Sequence, residues 1–267
     1  MKIMVIDGNS ILNRAFYGIR QLTNHEGLPT NAVYGFLATL FKLQDEEQPD
    51  RTIVCFDVQE KTFRHLKFDT YKATRKGMPD ELAAQLPLTK QVLDALGIVR
   101  CEKAGYEADD LLGTISRRAD EHGDTCVVVT GDRDSLQLVG GGTTVMLVST
   151  RMGQTTYQTY DTAAFREKYG FDPIRLIDLK ALMGDSSDNI PGVPGIGEKT
   201  AMQLLHDFGT LDGVYEHIED ERIKKGARTK LQNGEQSAKD SYWLATIDRN
   251  VPLELDVEHL PAQDIDE

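Results

Sequence analysis

The sequence predicts an α/β fold with a largely parallel sheet, because apolar strand-like runs alternate with helical patterns. Three runs are apolar without polar alternation, as expected of strands that are covered on both faces, and they lie at 3–6, 53–56 and 126–130. Helical patterns at 32–43 and 82–96 lie between them. Strands that alternate with helices favour βαβ units, and hence a parallel twisted sheet flanked by helices.

The strand pattern ends near Phe171, where short helical patterns, Gly and Pro turns and many charges replace it. Helices are predicted at 176–183, at 200–205 and around the only tryptophan, at 237–247. We therefore expect two domains, a sheet domain at 1–170 and a smaller helical domain at 171–267.

Composition narrows the functional class. The 267 residues carry a net charge of −13, which argues against a general electrostatic nucleic-acid binder, although it leaves room for an acidic site that cations neutralise. Three cysteines without C-x-x-C spacing are typical of buried hydrophobes in a reducing compartment, not of a disulfide framework or a zinc site. No apolar run approaches membrane-spanning length and no leader pattern precedes the first strand, so we expect a cytoplasmic protein without a membrane partner.

An aspartate follows each of the three apolar runs, at Asp7, Asp57 and Asp132. Ligands of parallel sheets collect beyond the carboxyl ends of the strands, which is where these side chains are expected. One such aspartate is commonly a helix cap or a turn former. Three at corresponding positions favour a shared site.

A second acidic group, Glu107, Asp109 and Asp110, lies where a helical pattern begins. Residues three apart share a helix face, so Glu107 and Asp110 are expected to point the same way. Carboxylates at a helix start also interact favourably with the helix dipole, so a purely structural role is the alternative. Together with the strand-end aspartates, the group favours a site.

Nine carboxylates are candidate metal ligands, and they are Asp7, Asp57, Glu107, Asp109, Asp110, Asp132, Asp134, Asp185 and Asp188. So much like charge in one cleft requires cations. Hard oxygen donors without His or Cys suit Mg²⁺ or Mn²⁺, and the number of donors predicts two or more ions. Two ions about 4 Å apart are the usual arrangement for in-line displacement at phosphorus, so phosphodiester hydrolysis is the predicted chemistry. The alternative is a set of unrelated caps and turns.

The stretch 61–76 is basic, with six Lys and Arg residues against Asp69. Its Phe63, Phe68 and Tyr71 can stack on bases while the cations hold phosphates. A solvated helix face is the alternative interpretation.

The stretch 192–201 nearly matches the phosphate loop G-x-x-x-x-G-K-S/T, but Glu198 interrupts the match and no apolar strand precedes it. A Gly-hydrophobe-Gly turn before a helix suits a helix-hairpin-helix, whose backbone N–H groups approach a DNA phosphate. An ordinary Gly and Pro turn is the alternative.

Taken together, these motifs resemble the 5′-nuclease (flap endonuclease) family. The resemblance is carried in order by Val5-Ile-Asp-Gly-Asn-Ser10 with Arg14, Phe56-Asp57, Thr62-Phe-Arg64, Tyr71-Lys-Ala-Thr-Arg75, Tyr106-Glu-Ala-Asp-Asp110, Thr130-Gly-Asp-Arg-Asp134, Gly184-Asp-Ser-Ser-Asp-Asn189 and Gly195-Ile-Gly-Glu-Lys-Thr-Ala201. It implies a resolvase-like (PIN-like) core, a helical arch at about 60–90, and a helix-three-turn-helix region with its hairpin at about 184–206. It also implies a K⁺ ion in that hairpin.

The resemblance also assigns roles to residues. It places Asp7, Asp57, Glu107, Asp109 and Asp110 in a first metal group and Asp132, Asp134, Asp185 and Asp188 in a second. Among these, Asp7, Asp110 and Asp132 are expected to be catalytic, together with Lys72 and Arg75, which position the scissile phosphate. The implied DNA contacts are Arg14, Arg64, Tyr71, Lys72, Arg75, Gly195, Gly197, Lys199 and Thr200.

The expected function is that of a monomeric 5′→3′ exonuclease and 5′-flap endonuclease. Its expected partners are branched or flapped duplex DNA and RNA primer–DNA hybrids, with a covalently attached polymerase domain if the chain is part of a longer protein. The arch is expected to be mobile at 75–79 without DNA. The alternatives are a non-catalytic DNA-binding module, a PIN-like ribonuclease and a metal-dependent phosphomonoesterase. A phosphomonoesterase of this kind has a D-x-D pair after its first strand, and Asp7-Gly-Asn lacks the second aspartate of that pair.

Overall fold

The structure is a computed structural model that describes residues 1–151 and 154–256. Its backbone forms two compact units, and each unit contains segments that are not consecutive along the chain. The sheet unit contains Met1–Glu60, Gly77–Asp161 and the chain from Asp248, and the helical unit contains Lys61–Lys76 and Thr162–Ile247. The predicted division after residue 170 stays a prediction.

Within the described residues, six strands form one sheet in the order β3-β2-β1-β4-β5-β6. The strands are β1 (Lys2–Asp7), β2 (Arg51–Cys55), β3 (Val99–Cys101), β4 (Thr125–Thr130), β5 (Thr143–Arg151) and β6 (Gln154–Tyr160). All neighbours are parallel except β5 and β6, which pair antiparallel. The predicted α/β class with a mainly parallel sheet is confirmed.

The sequence pattern predicts β1, β2 and β4 but misses the other three strands. The missed strand β3 has only three residues, too few for a pattern. In β6, exposed or half-exposed residues alternate up to the buried Tyr160, because the strand lies at the sheet edge. Continuous apolar runs mark strands that are covered on both faces, and a partly exposed edge strand such as β6 lacks such a run.

The helices of the described chain are α1 (Gly8–Gly18), α2 (Asn31–Glu47), α3 (Phe63–Lys67), α4 (Asp80–Ala83), α5 (Gln85–Ala95), α6 (Ala108–His122), α7 (Thr162–Tyr169), α8 (Leu176–Met183), α9 (Glu198–Phe208), α10 (Leu211–Glu216), α11 (Lys225–Asn233) and α12 (Glu235–Ala245). The helix predicted at 82–96 is divided between α4 and α5. Pro87 cannot donate a hydrogen bond to the carbonyl of Ala83, which accounts for the break there.

The core of the sheet unit contains Met4, Phe36, Phe56 and Val129, all nearly inaccessible to solvent. The helical unit has its own buried cluster, which includes Tyr71, Ile177, Ile190 and Leu244. Burial of these two clusters stabilises each unit, at about 1.5–3 kcal/mol for each large apolar side chain. Among the described residues, no helix combines the length and apolar character that a bilayer crossing requires.

Candidate active site

Asp7 lies at the carboxyl edge of the sheet, where β1 ends and α1 begins. Its Oδ1 atom accepts a hydrogen bond from the backbone N–H of Ser10 at 2.9 Å, so Asp7 is the N-cap of α1. In the parallel ladder Asp7 is the register partner of Cys55, two residues before Asp57. On the other side of β1, strand β4 ends at Thr130, two residues before Asp132. The ladder therefore delivers the three strand-end aspartates to one edge.

The carboxylate of Asp7 is buried, and its surroundings disfavour its negative charge. Burial and the neighbouring charges of Asp57 and Asp132 raise the pKa of Asp7 to about 7, although hydrogen bonds from Ser10 and Thr130 oppose the rise. A cation placed among these carboxylates would remove the repulsion and restore the ionised form. The site is therefore suited to a positive ion.

A fully buried hydroxyl group connects Asp7 to the loop that carries Asp132. Thr130 Oγ1 donates to Asp7 Oδ2 at 2.9 Å and accepts from the backbone N–H of Asp132 at 3.0 Å. Ser10 Oγ accepts from the N–H of Gly131 at 2.9 Å in the same loop. The sequence motifs contain Thr130 and Ser10 but assign no role to either residue, although a polar residue that closes an otherwise apolar strand is a usable signal.

Arg14, predicted to contact DNA, holds the same loop. Its Nη2 atom donates to the carbonyl oxygen of Gly131. A β-carbon at Gly131 would collide with the Arg14 side chain, so only glycine allows this close approach. The structure thus shows a role for Arg14 in positioning Asp132, and its DNA contact stays a prediction.

Asp57 joins the end of β2 to the start of α6. Its Oδ1 atom accepts from the backbone N–H of Ala108 at 2.7 Å, and its own N–H donates to Asn9 Oδ1 at 3.0 Å. The Asp57 side chain is nevertheless exposed to solvent. It is thus both anchored and accessible, as a metal ligand must be.

The acidic start of α6 serves a structural role as well as a candidate catalytic one. Glu107 is the N-cap, and Asp110 Oδ2 accepts from the backbone N–H of Glu107 at 3.0 Å. The other oxygen of the fully buried Asp110 accepts from the N–H of Asp248 at 2.8 Å. Asp109 Oδ1 accepts from the Ser135 hydroxyl at 3.0 Å. The capping interpretation therefore holds for Glu107 and Asp110, and it does not exclude metal binding.

Asp132 and Asp134 lie on the short 3₁₀ turn at Arg133–Leu138 that follows β4. Asp132 caps this turn by accepting from the N–H of Asp134 at 3.0 Å. Both side chains are half-buried. The hydrogen bonds fix the Asp132 carboxylate while leaving part of it open to solvent.

The donor set of the sheet unit fits a hard divalent cation. Every predicted ligand there is a carboxylate, as Mg²⁺ and Mn²⁺ prefer, and the raised pKa of Asp7 reflects charge that a cation would neutralise. In the part of the chain that the structure describes, no three His, Cys, Asp or Glu side chains form a ready metal-binding group. The carboxylates of Asp7, Asp57, Asp109, Asp110 and Asp132 instead accept hydrogen bonds from the chain itself.

In the helical unit, the remaining two predicted carboxylates are paired with basic side chains. Asp188 is buried, accepts from the guanidinium of Arg75 and lies 3.8 Å from Lys72 Nζ. Burial opposes the ionisation of Asp185, but the Lys180 ammonium and Ser187 outweigh it and hold the pKa of Asp185 at about 2. Asp185 is therefore ionised, and a basic side chain lies beside each of the two carboxylates.

The backbone of Lys72 lies in the left-handed region, with φ of 53°. This conformation costs about 1 kcal/mol or more for a side chain of this kind, so the surrounding contacts must enforce it. The N–H of Lys72 donates to the carbonyl of Asp188 at 2.9 Å, and Asn189 Nδ2 donates to the carbonyl of Thr70 at 2.7 Å. These contacts fix the basic stretch against the loop that carries Asp188.

The structure corrects two of the predicted DNA contacts, Arg64 and Tyr71. Only 2% of Arg64 is exposed, and its guanidinium donates to the carbonyls of Leu244 at 3.1 Å and Thr246 at 2.6 Å. Tyr71 is 4% exposed and belongs to the buried cluster of the helical unit. Both side chains stabilise this unit from within and present no surface to a phosphate or a base.

Two aromatic residues of the basic stretch pack against Trp243. The rings of Phe63 and Phe68 lie 5.5 and 5.8 Å from the ring of Trp243, and the Lys67 ammonium lies 3.9 Å from that ring. Both phenylalanine rings are half-exposed, and base stacking by this stretch stays a prediction. Within 60–90, the described helices are α3, α4 and the first part of α5, and residues 75–79 have no regular secondary structure.

The predicted hairpin connects α8 to α9. Gly195 has φ of 82°, which a side chain would disfavour, and Gly197 is the N-cap of α9. Lys199 and Thr200 lie exposed in the first turn of this helix. A groove of about 650 Å³ runs beside them and is also lined by Lys224 and Lys230. The free N–H groups of α9 and these lysines make the groove suitable for an anion.

Two family profiles together match almost the whole chain. The profile described as 5′-3′ exonuclease, N-terminal resolvase-like domain, matches residues 2–170, and that of the 5′-3′ exonuclease, C-terminal SAM fold, matches residues 171–267. Solved structures agree on the fold. A bacteriophage T5 5′-exonuclease with bound zinc aligns at TM-score 0.71 and 23% identity, over 93% of this chain and 90% of its own. A T5 flap endonuclease complex with DNA and metal ions aligns at TM-score 0.72 and 22% identity, over 93% and 89%.

Curated relatives at higher identity are DNA polymerase I proteins. The Caldicellulosiruptor bescii protein is 41% identical over 99% of this chain, and the Bacillus subtilis protein is 44% identical over 98%. The chain spans 31% and 29% of the length of these two relatives. On the profiles that cover both of its parts, the chain belongs to the 5′-3′ exonuclease family and is a nuclease with a resolvase-like N-terminal domain and a C-terminal SAM fold.

Proposed function

We propose that the chain is a structure-specific 5′ nuclease that hydrolyses DNA phosphodiesters. Its substrates are 5′ flaps and 5′-terminal nucleotides, including RNA primers, and its setting is replication and repair in the cytoplasm. The observation that carries the proposal is the buried carboxylate of Asp7, whose charge is disfavoured by Asp57 and Asp132 until a cation is present. The T5 relative crystallised with DNA and metal ions supports this substrate class.

We assign two divalent cations, Mg²⁺ or Mn²⁺, to the carboxylates. Bound there, they supply Lewis-acid polarisation of the phosphate and a lowered pKa for a water molecule. Asp7, Asp57 and Asp132 would contribute ligands from the strand ends, and Glu107, Asp109, Asp110, Asp134, Asp185 and Asp188 would contribute directly or through water. The hydrogen bonds to Asp7, Asp57 and Asp132 hold these carboxylates in place before a substrate arrives.

Lys72 and Arg75 would act on the scissile phosphate. In the structure both cations face Asp188, and a phosphate offers charge-assisted hydrogen bonds of the same kind. If Lys72 and Arg75 left the Asp188 carboxylate and bound the phosphate, they would place positive charge where negative charge develops during hydrolysis. Arg64 and Tyr71 have no part in this step, because both are buried.

The hairpin would bind the backbone of a duplex. Lys199 and Thr200 present a cation, a hydroxyl and the N–H groups of the α9 N-terminus to one phosphate, and such contacts position a nuclease without reading sequence. The K⁺ ion that the resemblance implies would bind in the same hairpin, where the carbonyl oxygen of Gly195 accepts from Lys230 Nζ at 2.9 Å.

Cleavage of a labelled 5′-flap duplex with Mg²⁺ and with EDTA tests the proposal. We expect cleavage near the base of the flap in Mg²⁺ only, and much slower cleavage of single-stranded RNA of the flap sequence. Tight flap binding without cleavage in Mg²⁺ or Mn²⁺ would support a DNA-binding module instead. Preferential cleavage of the RNA would support a PIN-like ribonuclease.

Substitution of Thr130 tests whether its hydroxyl positions Asp7 and Asp132 at the carboxyl edge of the sheet. Thr130→Val keeps the shape of the side chain but removes the hydroxyl that joins Asp7 to the N–H of Asp132. We expect cleavage to slow by about 10- to 100-fold and more Mg²⁺ to be required, as is usual when a group that orients metal ligands is lost. The measurement is the single-turnover rate as a function of Mg²⁺ concentration.

Thr130→Ser is the matched control, because it retains the hydroxyl and loses only a methyl group. We expect its Mg²⁺ dependence to resemble that of the wild type. Thermal unfolding should show that both variants are folded at the assay temperature. Equal Mg²⁺ dependence for the valine and serine variants would refute the positioning role of the hydroxyl.

A further inference from the structure

Cys55 and Cys101 form a pair of thiols at the ends of neighbouring strands. Cys55 is the last residue of β2, Cys101 is the last residue of β3, and the two are direct register partners in the parallel ladder. Register partners project to the same face of a sheet, so the two thiols lie side by side. The third cysteine, Cys126, pairs in register with Ile3 on a different strand. All three are free and buried.

The spacing of the pair is compatible with a disulfide bond. Neighbouring strands lie about 4.8 Å apart, and disulfides connect α-carbons separated by about 4.4–6.8 Å. Strand β3 has only three residues and lies at the edge of the sheet, where β2 is its one partner among the described residues. It can therefore adjust its position more easily than a central strand that is held on both sides.

The two thiols differ in reactivity. The hydrogen bond from Cys55 lowers the pKa of Cys101, with help from the Arg118 guanidinium and against partial burial. Cys101 is also the most exposed cysteine of the three, at 6%. Burial raises the pKa of Cys126 to about 12, which keeps that residue an unreactive thiol. Thiolates are the nucleophilic form, so Cys101 is the expected point of attack by an oxidant.

We propose that Cys55 and Cys101 are a site of reversible oxidation, at which hydrogen peroxide converts the two thiols to a disulfide that distorts the carboxyl edge of the sheet. The Cys101 thiolate attacks the peroxide oxygen, the O–O bond breaks, and Cys101 becomes a sulfenic acid while the leaving oxygen takes a proton to form water. The Cys55 sulfur then attacks the Cys101 sulfur and breaks its S–O bond. The departing hydroxide takes the Cys55 proton, so two thiols and one peroxide yield one disulfide and two waters.

The disulfide would act on the carboxylate edge through the residues that follow each cysteine. Asp57 lies two residues after Cys55, and α6 begins at Ala108, seven residues after Cys101. These segments meet where the N–H of Ala108 donates to Asp57 Oδ1 at 2.7 Å. A disulfide joins β-carbons about 3.5–4.5 Å apart, which is closer than the strand spacing of about 4.8 Å, so the bond draws β3 toward β2, changes this contact and displaces Asp57. A disulfide between register partners on neighbouring strands, such as Cys55 and Cys101, is strained. Strained disulfides are easily reduced. The effect on cleavage rests on the proposed function, whereas bond formation does not.

Peptide mapping of the oxidised chain under non-reducing conditions tests the bond itself. The chain is reduced, freed of reductant and treated with hydrogen peroxide, and the expected product is a peptide that joins Cys55 to Cys101, with Cys126 free. Cys126→Ala should give the same linked peptide, and Cys55→Ala and Cys101→Ala should not. Unlinked cysteines, or sulfinic acid at Cys101 without a cross-link, would overturn the proposal. Mapping of the wild type decides this even if a variant does not fold.

Two further readouts on the same samples test the consequence. Hydrogen exchange at the N–H of Ala108 should be faster in the oxidised chain, and flap cleavage should fall by about 10- to 100-fold, as expected for a misplacement of about 1 Å. Dithiothreitol should restore both. Linked cysteines with unchanged exchange at Ala108 would overturn the distortion of the edge. If the reduced chain cleaves no substrate, the proposed function fails, while mapping and exchange still decide the oxidation site.

Discussion

Asp132→Ala is expected to abolish cleavage while leaving the fold and DNA binding largely intact. The substitution removes one charge from the edge where Asp7, Asp57 and Asp132 repel one another, so the apo protein should not suffer electrostatically. It removes the cap of the turn after β4, at a cost of about 1 kcal/mol. Loss of a metal ligand should slow single-turnover cleavage by about 1,000-fold or more, equivalent to about 4 kcal/mol in the barrier.

Asp132→Asn separates the charge of this residue from its capping role. Asparagine keeps an oxygen that accepts from the N–H of Asp134 but loses the negative charge. If the carboxylate holds a cation, the asparagine variant should be as stable as the wild type yet nearly as inactive as the alanine variant. Flap binding is measured by fluorescence anisotropy in Ca²⁺. Wild-type cleavage rates for either variant would refute the assignment of Asp132.

Asp110→Ala is expected to destabilise the fold as well as stop cleavage. The side chain is fully buried, and its two oxygens accept from the N–H groups of Glu107 and Asp248. Removing the acceptor deprives the buried N–H of Glu107 and the half-buried N–H of Asp248 of this partner, each at a cost of about 1–3 kcal/mol, so the free energy of unfolding should fall by about 2–5 kcal/mol. Urea denaturation followed by circular dichroism measures this change.

Asp109→Ala is the matched control on the preceding residue of α6. Asp109 is only half-buried, and its Oδ1 atom accepts from the hydroxyl of Ser135 at 3.0 Å. Its loss should lower the free energy of unfolding by less than about 1.5 kcal/mol. Equal destabilisation by the two substitutions would contradict the special role of Asp110 in joining α6 to the segment at Asp248.

The central strands could be predicted from sequence because both of their faces are buried. Each of the strands β1, β2 and β4 contains a continuous run of Val, Ile, Met or Cys. Strands β3 and β6 lack such a run, whereas β5 contains one at 145–148 that was not predicted as a strand. The register that makes Cys55 and Cys101 neighbours is likewise invisible in a sequence in which they lie 46 positions apart.

The candidate-site residues that directly follow a strand could be predicted from the sequence. Aspartates at the ends of apolar runs define the edge of the sheet, and the structure places Asp7 and Asp132 there. The same reasoning failed for Arg64, because a basic and aromatic segment has the same composition whether its arginine faces DNA or carbonyls about 180 positions away. Thr130 was missed because a hydroxyl shared by two groups is a property of the folded chain alone.

The acidic start of α6 illustrates why two interpretations of one motif need not compete. A capping role and a metal-binding role both require carboxylates at a helix N-terminus, where the dipole stabilises negative charge. The structure shows capping for Glu107 and Asp110. A cation among the same carboxylates would add ligation without removing those hydrogen bonds, because each carboxylate has further lone pairs.

Anomalous scattering from Mn²⁺-soaked crystals tests directly whether the strand-end carboxylates hold divalent cations. We expect an anomalous peak about 2–2.5 Å from a carboxylate oxygen of Asp7 or Asp132, with no such peak in the Asp132→Ala variant. A map with Mn²⁺ bound elsewhere on the chain, and none at this edge of the sheet, would contradict metal binding by these carboxylates.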